Sequence, residues 1–147
     1  MKNTLTIVAA SALLSGNAHG QEFTYYRYSE RGAVGHMIVL NEGSRDVPLK
    51  PIGVSILAGN SKTQHVCEVR ARENTDARIT SGDSIEATMQ VTTNDMKEVT
   101  KDFFEIKFNR SSALIAYSQM QSNCGLTAAF SGNWRKVKSI EAATSPK

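Results

Sequence analysis

HVCEVRAR, residues 65–72, decides the fold class. Cys67, Val69 and Ala71 fall on one side of an extended chain, while Glu68, Arg70 and Arg72 fall on the other. Successive side chains of a strand point to opposite faces, so this alternation predicts a strand with one face in a core and one in water. The same pattern recurs in FFEIKF, residues 103–108, where Phe104, Ile106 and Phe108 stand opposite Glu105 and Lys107. IGVSIL, residues 52–57, sets Ile52, Val54 and Ile56 against Gly53, Ser55 and Leu57. GHMIVL (35–40), SALIAYS (112–118) and LTAAFSGNW (126–134) add further apolar or β-branched runs. Turn chemistry separates them in NEGSRDVPLKP, AGNSK, Ser81-Gly82-Asp83 and QMQSNCG.

Roughly seven to nine short strands follow, with turn signals about every eight to twelve residues, which predicts a mainly β domain: a small antiparallel sandwich or barrel. At most one short helix is expected. TTNDMKEVTKD (92–102) has Thr93 or Asn94 to cap it, Asp95 in the first turn, and Met96, Val99 and Phe103 spaced for one face. A polar hairpin is the alternative there. FTYYRY (23–28) reads as an opening edge strand or an exposed arm. Residues 21–138 form the expected domain, and 139–147, small and polar, a flexible C-terminal tail.

The N-terminus predicts export. Lys2 precedes an apolar run of ten, LTIVAASALL, and Ala18-His19-Gly20 places small residues at −3 and −1 of a cut before Gln21. Residues 1–20 therefore read as a signal peptide. The run is shorter than the roughly 20 residues that a spanning helix needs, so no membrane segment is expected in the mature chain. The expected compartment is the periplasm, or beyond it by full secretion. In such a compartment Cys67 and Cys124 are expected to form one disulfide. Closing that loop would be worth about 4 kcal/mol through chain entropy.

Beyond the predicted cut there are 16 basic and 14 acidic residues, a balance too mild to imply nucleic acid. Its distribution says more. Residues 106–140 carry Lys107, Arg110, Arg135, Lys136 and Lys138 and no acid, which predicts a docking surface for an acidic partner. Catalytic and metal chemistry leave no signature. His36 and His65 stand apart with no CxxC or HxH around them, so no metal and no cofactor is expected. Ser131 lies in FSGNW, outside any G-x-S-x-G elbow, and no pair among the carboxylates stands out. The expected activity is binding, not catalysis. Aromatic and arginine side chains anchor interfaces, and they cluster twice: Trp134 with Arg135 and Lys136, and Tyr25, Tyr26 and Tyr28 with Arg27.

HVCEVRA, FFEIKFN, LIAYSQ…NCG and AAFSGNWRK together resemble small exported bacterial domains of the periplasmic lysozyme-inhibitor type, over residues 65–138. In those inhibitors a Ser-Gly-x-x-Tyr loop enters the lysozyme cleft and meets its catalytic carboxylates. Here Ser131-Gly132-Asn133-Trp134 brings the aromatic one residue early, as Trp. Ser81-Gly82-Asp83 is a second Ser-Gly, but its carboxylate would repel an acidic cleft. The resemblance implies a protein that inhibits a cell-wall hydrolase, or an immunity protein that neutralises a toxin. Its binding residues would be Ser131, Gly132, Trp134, Arg135 and Lys136, with Tyr25 and Tyr26 from the other cluster. An accessory subunit of an envelope complex is the alternative, and a small secreted enzyme the third class.

Overall fold

The computed structural model describes residues 20–30, 32–44, 47–60, 62, 66–74, 78–79, 84–119 and 132–144. Alternation builds its wall. The strands are β1 (Gln21–Glu30), β2 (Ala33–Ser44), β3 (Val47–Asn60), β4 (Val66–Glu73), β5 (Arg78–Ile79), β6 (Ile85–Thr92), β7 (Val99–Phe108), β8 (Ser112–Gln119) and β9 (Gly132–Val137). Each is antiparallel to its neighbours, in the order β4-β3-β2-β1-β9-β8-β7-β6, and β4 pairs β6 to close the ring. The two-residue β5 hangs on β6 outside it. Of the two expected architectures, the chain takes the barrel: eight strands wound up and down, with no strand crossing between sheets.

One side of every long strand points into the ring. Tyr26 and Tyr28 come from β1, Met37 and Val39 from β2, Val54, Ile56 and Ala58 from β3. Cys67, Val69 and Ala71 come from β4, and Ala87, Met89 and Val91 from β6. Phe104, Ile106 and Phe108 of β7 face Ala113 and Ile115 of β8. An eight-stranded ring is just wide enough for side chains to fill it or to hold one small ligand. Among the described residues, these side chains line the interior as one apolar cluster.

Trp134 is the largest fully buried side chain, at 0% exposure. Room for it is made by residues with little or no side chain. A Cβ on Gly35 of β2 would lie 2.9 Å from Trp134 Cη2 and 3.1 Å from the Ala58 Cβ, so the indole reaches past β1 to β2 and β3. Tyr28 packs on its near side, ring centroids 5.2 Å apart. Gly132, at φ +149°, lets that tyrosine approach, since a Cβ there would lie 2.9 Å from the Tyr28 ring. Tyr26 meets Phe108 at 5.9 Å. Near the end where β1 begins, the interior turns polar. There the buried Asn41 Nδ2 donates to Thr24 Oγ1 at 2.9 Å and to the carbonyls of Glu22 and Val39 at 3.3 and 3.4 Å. Among the described residues, no buried side-chain polar atom lacks a partner.

Three expectations need correction. FTYYRY is no edge strand, for β1 sits inside the wall with β2 on one side and β9 on the other. The helix expected over 92–102 is a hairpin: β6 runs to Thr92, a tight turn follows, and β7 starts at Val99. The would-be cap residues hold that turn instead. Thr93 Oγ1 donates to Asp95 Oδ1 at 2.6 Å and accepts from the Glu98 amide at 3.2 Å, while the Lys97 amide donates to Asp95 at 3.2 Å. Ser, Thr and Asp serve turns by the same local bonds that cap helices, so the signal fits the hairpin, which was the alternative there, as well as it fits the helix. Finally, the chain beyond Ser139 is not wholly frayed. Ile140–Thr144 form a short helix, α1, capped by Ser139 Oγ, with Ala143 buried and the helix packed against β1, β2 and β9. Residues 1–19, His65, Ser81, Gly82, Asp83, Cys124 and Ser131 lie outside the described residues. The expected disulfide is therefore met here only at Cys67, which is buried inside the ring.

Candidate binding surface

The strand register arranges candidate partner-facing chemistry on the outer face. On β1, Tyr26 and Tyr28 turn inward, so Phe23, Tyr25 and Arg27 turn outward. On β9, Trp134 turns inward, so Asn133, Arg135 and Val137 turn outward. The register then sets Arg27 directly opposite Arg135 on β9 and opposite His36 on β2. This makes a basic row of Arg27 and Arg135 across β1 and β9, with His36 beside it on β2. Like charges set directly opposite across strands are destabilising. No acidic group among the described residues lies within salt-bridge distance of Arg27 or Arg135 to relieve it. His36 is half-buried there, and its pKa is lowered by desolvation.

Beside the basic row runs an apolar one. Tyr25 stands between Ile38 of β2 and Val137 of β9, all three partly exposed. Aromatic, aliphatic and arginine side chains in adjacent rows are the composition of a protein-binding patch.

The seam below it is loosely closed. β1 pairs with β2 through all ten of its residues, but with β9 only through Tyr25, Tyr26 and Arg27. Next to that short ladder lies a cleft of about 410 Å³. Residues 22–25 of β1 form one wall, and Lys136 and Val137 of β9 with the following Lys138 the other, together with Arg110 and Ser111 of the β7–β8 turn. The Lys136 amide donates to the Ser111 carbonyl at 2.9 Å, which ties that second wall together. Lys136, Lys138 and Arg110 supply its charge, against Glu22 alone.

The residues singled out from sequence divide accordingly. Trp134 and Tyr26 are core side chains, at 0% and 4% exposure, and neither presents a surface to a partner. Burial pushes the Tyr26 hydroxyl up to about 12. Gly132 opens β9 and accommodates Tyr28. Arg135 and Lys136 are exposed and Tyr25 is half-buried; Tyr25 and Lys136 meet at the seam, while Arg135 stands opposite Arg27 on the outer face. Sequence reasoning missed His36, Phe23 and Val137 as members of this surface, but had Lys138 and Arg110 in its basic stretch. Arg27 was within reach, because it lies two residues from Tyr25 and so shares its face. His36 was not, since only the β1–β2 register sets it beside Arg27. No family model, no curated protein and no solved structure matches this chain.

Proposed function

We propose that this chain is an exported binding protein, held in the periplasm, that inhibits a cell-wall hydrolase or neutralises a toxin by docking on its acidic face. The observation that carries the reading is the basic row of Arg27 and Arg135, set opposite each other on β1 and β9, with Lys136 and Lys138 in the cleft beside it. A muramidase cleft is lined with carboxylates, and a cationic, aromatic-bearing face is complementary to it. Two further features support the reading. Trp134 and Tyr26 are core side chains, whereas Tyr25, Arg27 and Arg135 on the same strands turn outward. β1 begins at Gln21, the residue that follows the predicted signal cut.

The lysozyme-inhibitor likeness belongs to this proposal, shifted in place. Trp134 lies in the core, so the partner contacts pass to Tyr25, Arg27, Arg135 and Lys136. A Cys67–Cys124 disulfide is part of the same proposal. It would tie β4 to the segment that precedes β9, and non-reducing peptide mapping of the purified chain tests it.

Binding is measured against a panel of lysozymes, peptidoglycan hydrolases and periplasm-acting toxins, with inhibition of their activity as the second readout. Arg27→Glu with Arg135→Glu is expected to weaken the complex at least tenfold and to flatten its dependence on salt. Unchanged binding by that double variant would remove the basic row from the site. A chain that binds none of the panel would overturn the reading itself.

A further inference from the structure

The cleft at the seam is lined by residues from both faces of β1. Glu22 and Thr24 share the inward face with Tyr26, whereas Phe23 and Tyr25 point outward. A hollow on the barrel surface would be lined from one face only. This opening therefore lies in the plane of the sheet, alongside the β1 backbone, where a neighbouring strand would run. β2 pairs with residues 21–24 on one side, but the β9 register ends at Tyr25↔Val137. Among the described residues, no strand pairs with 21–24 on the β9 side. A strand paired on one side only is a template for another chain.

From this placement we infer that the seam accepts an extended acidic segment of the partner, which adds as a short strand to residues 21–24 of β1. Its main chain would bond the free edge of β1, as in other recognition by strand addition. Its carboxylates would meet Lys136 and Lys138. These two lie two positions apart at the end of β9 and just beyond it, the spacing at which alternate side chains of an added strand repeat. Arg110 lines the same wall. Glu22 is the one acidic group in the cleft and opposes the ligand. The inference rests on the binding function proposed above and names the part of the partner that the seam reads.

The test uses the full chain, purified folded after expression with its own N-terminal segment. The probe is a capped peptide of about ten residues alternating Glu and Thr, long enough to span the seam as a strand. A Lys-for-Glu version controls for charge. A version with Pro at every Thr position and N-methyl groups on the Glu amides keeps the charge but has no N–H to donate to a ladder. The Glu peptide is expected to bind and to slow amide exchange at residues 21–24, with the Lys and Pro versions at least tenfold weaker. Lys136→Gln with Lys138→Gln should weaken it likewise, and Glu22→Gln should tighten it.

Equal binding of the Pro version, or binding without protection of β1 amides, would overturn strand addition. So would a hydrolase or toxin complex in which those amides stay unprotected, although the binding function would then stand. If the Glu peptide adds to β1 while every hydrolase and toxin is ignored, the strand-accepting seam holds and the proposed partner class falls.

Discussion

Tyr26 and His36 make the stability of this barrel depend on pH at both ends, with opposite signs. Tyr26 lies in the core and its pKa rises from 10.0 to about 12 through desolvation. Between those values the unfolded chain releases the proton and the folded chain keeps it. Its contribution is therefore complete below pH 10 and is lost as pH rises toward 12. His36 is shifted down from 6.5, also by desolvation. Its contribution is complete above pH 6.5 and is lost as pH falls toward the lower folded value, where the unfolded chain alone takes up the proton. Urea midpoints measured across pH should thus fall at both limbs. Tyr26→Phe is expected to flatten the alkaline limb and His36→Gln the acid one. Loss of both slopes in either single variant would contradict this separation.

The β6–β7 hairpin shows how one element was misread while its neighbours were read correctly. Alternation in FFEIKF gave β7 its inward face of Phe104, Ile106 and Phe108, which is the face observed. Alternation reports burial directly, so it survives translation into a fold. Thr93, Asn94 and Asp95 instead report only a local demand for backbone partners, and that demand is the same at a helix start and in a turn. The choice between them was made by strand pairing: β6 and β7 extend to Thr92↔Val99, and Gln90 Nε2 bridges to the carbonyls of Thr100 and Asp102 across the irregular register. Arg70 adds a bond to the Asn94 carbonyl at 2.8 Å, tying the turn to β4. Thr93→Val should accordingly cost about 1 kcal/mol in equilibrium unfolding through its lost hydrogen bonds. Asn94→Ala, which keeps the carbonyl, should be close to neutral. A reversed order would mean that Thr93 does not hold the turn.

The molecule as a whole was legible as mainly β and antiparallel, while closure was not. A sandwich and a barrel show the same alternation, and they differ only in whether β4 finds β6 and β1 finds β9. The binding surface was half legible for a related reason. Arg135, Lys136 and Tyr25 announced themselves by residue type, but their meeting depends on a register between strands over a hundred residues apart. Trp134, the most conspicuous residue of the sequence, went to the core because Gly35 and Ala58 leave it a slot that no local reading reveals. The three-residue ladder between β1 and β9 should be the first joint of the wall to open. Native-state hydrogen exchange is expected to release the amides bonded across it before those between β2 and β3. Uniform protection around the ring would refute that order.

That joint also sets the order of assembly. Tyr25 and Val137 are partners at the two ends of the described strands, so the ring is fastened last, by the contact with the longest loop to close. Until β9 arrives, β1 is a bare rim that any passing strand can occupy. A barrel clasped so late and so lightly has a built-in vacancy during its folding, and a pairing partner met at that moment would compete with the chain's own last strand.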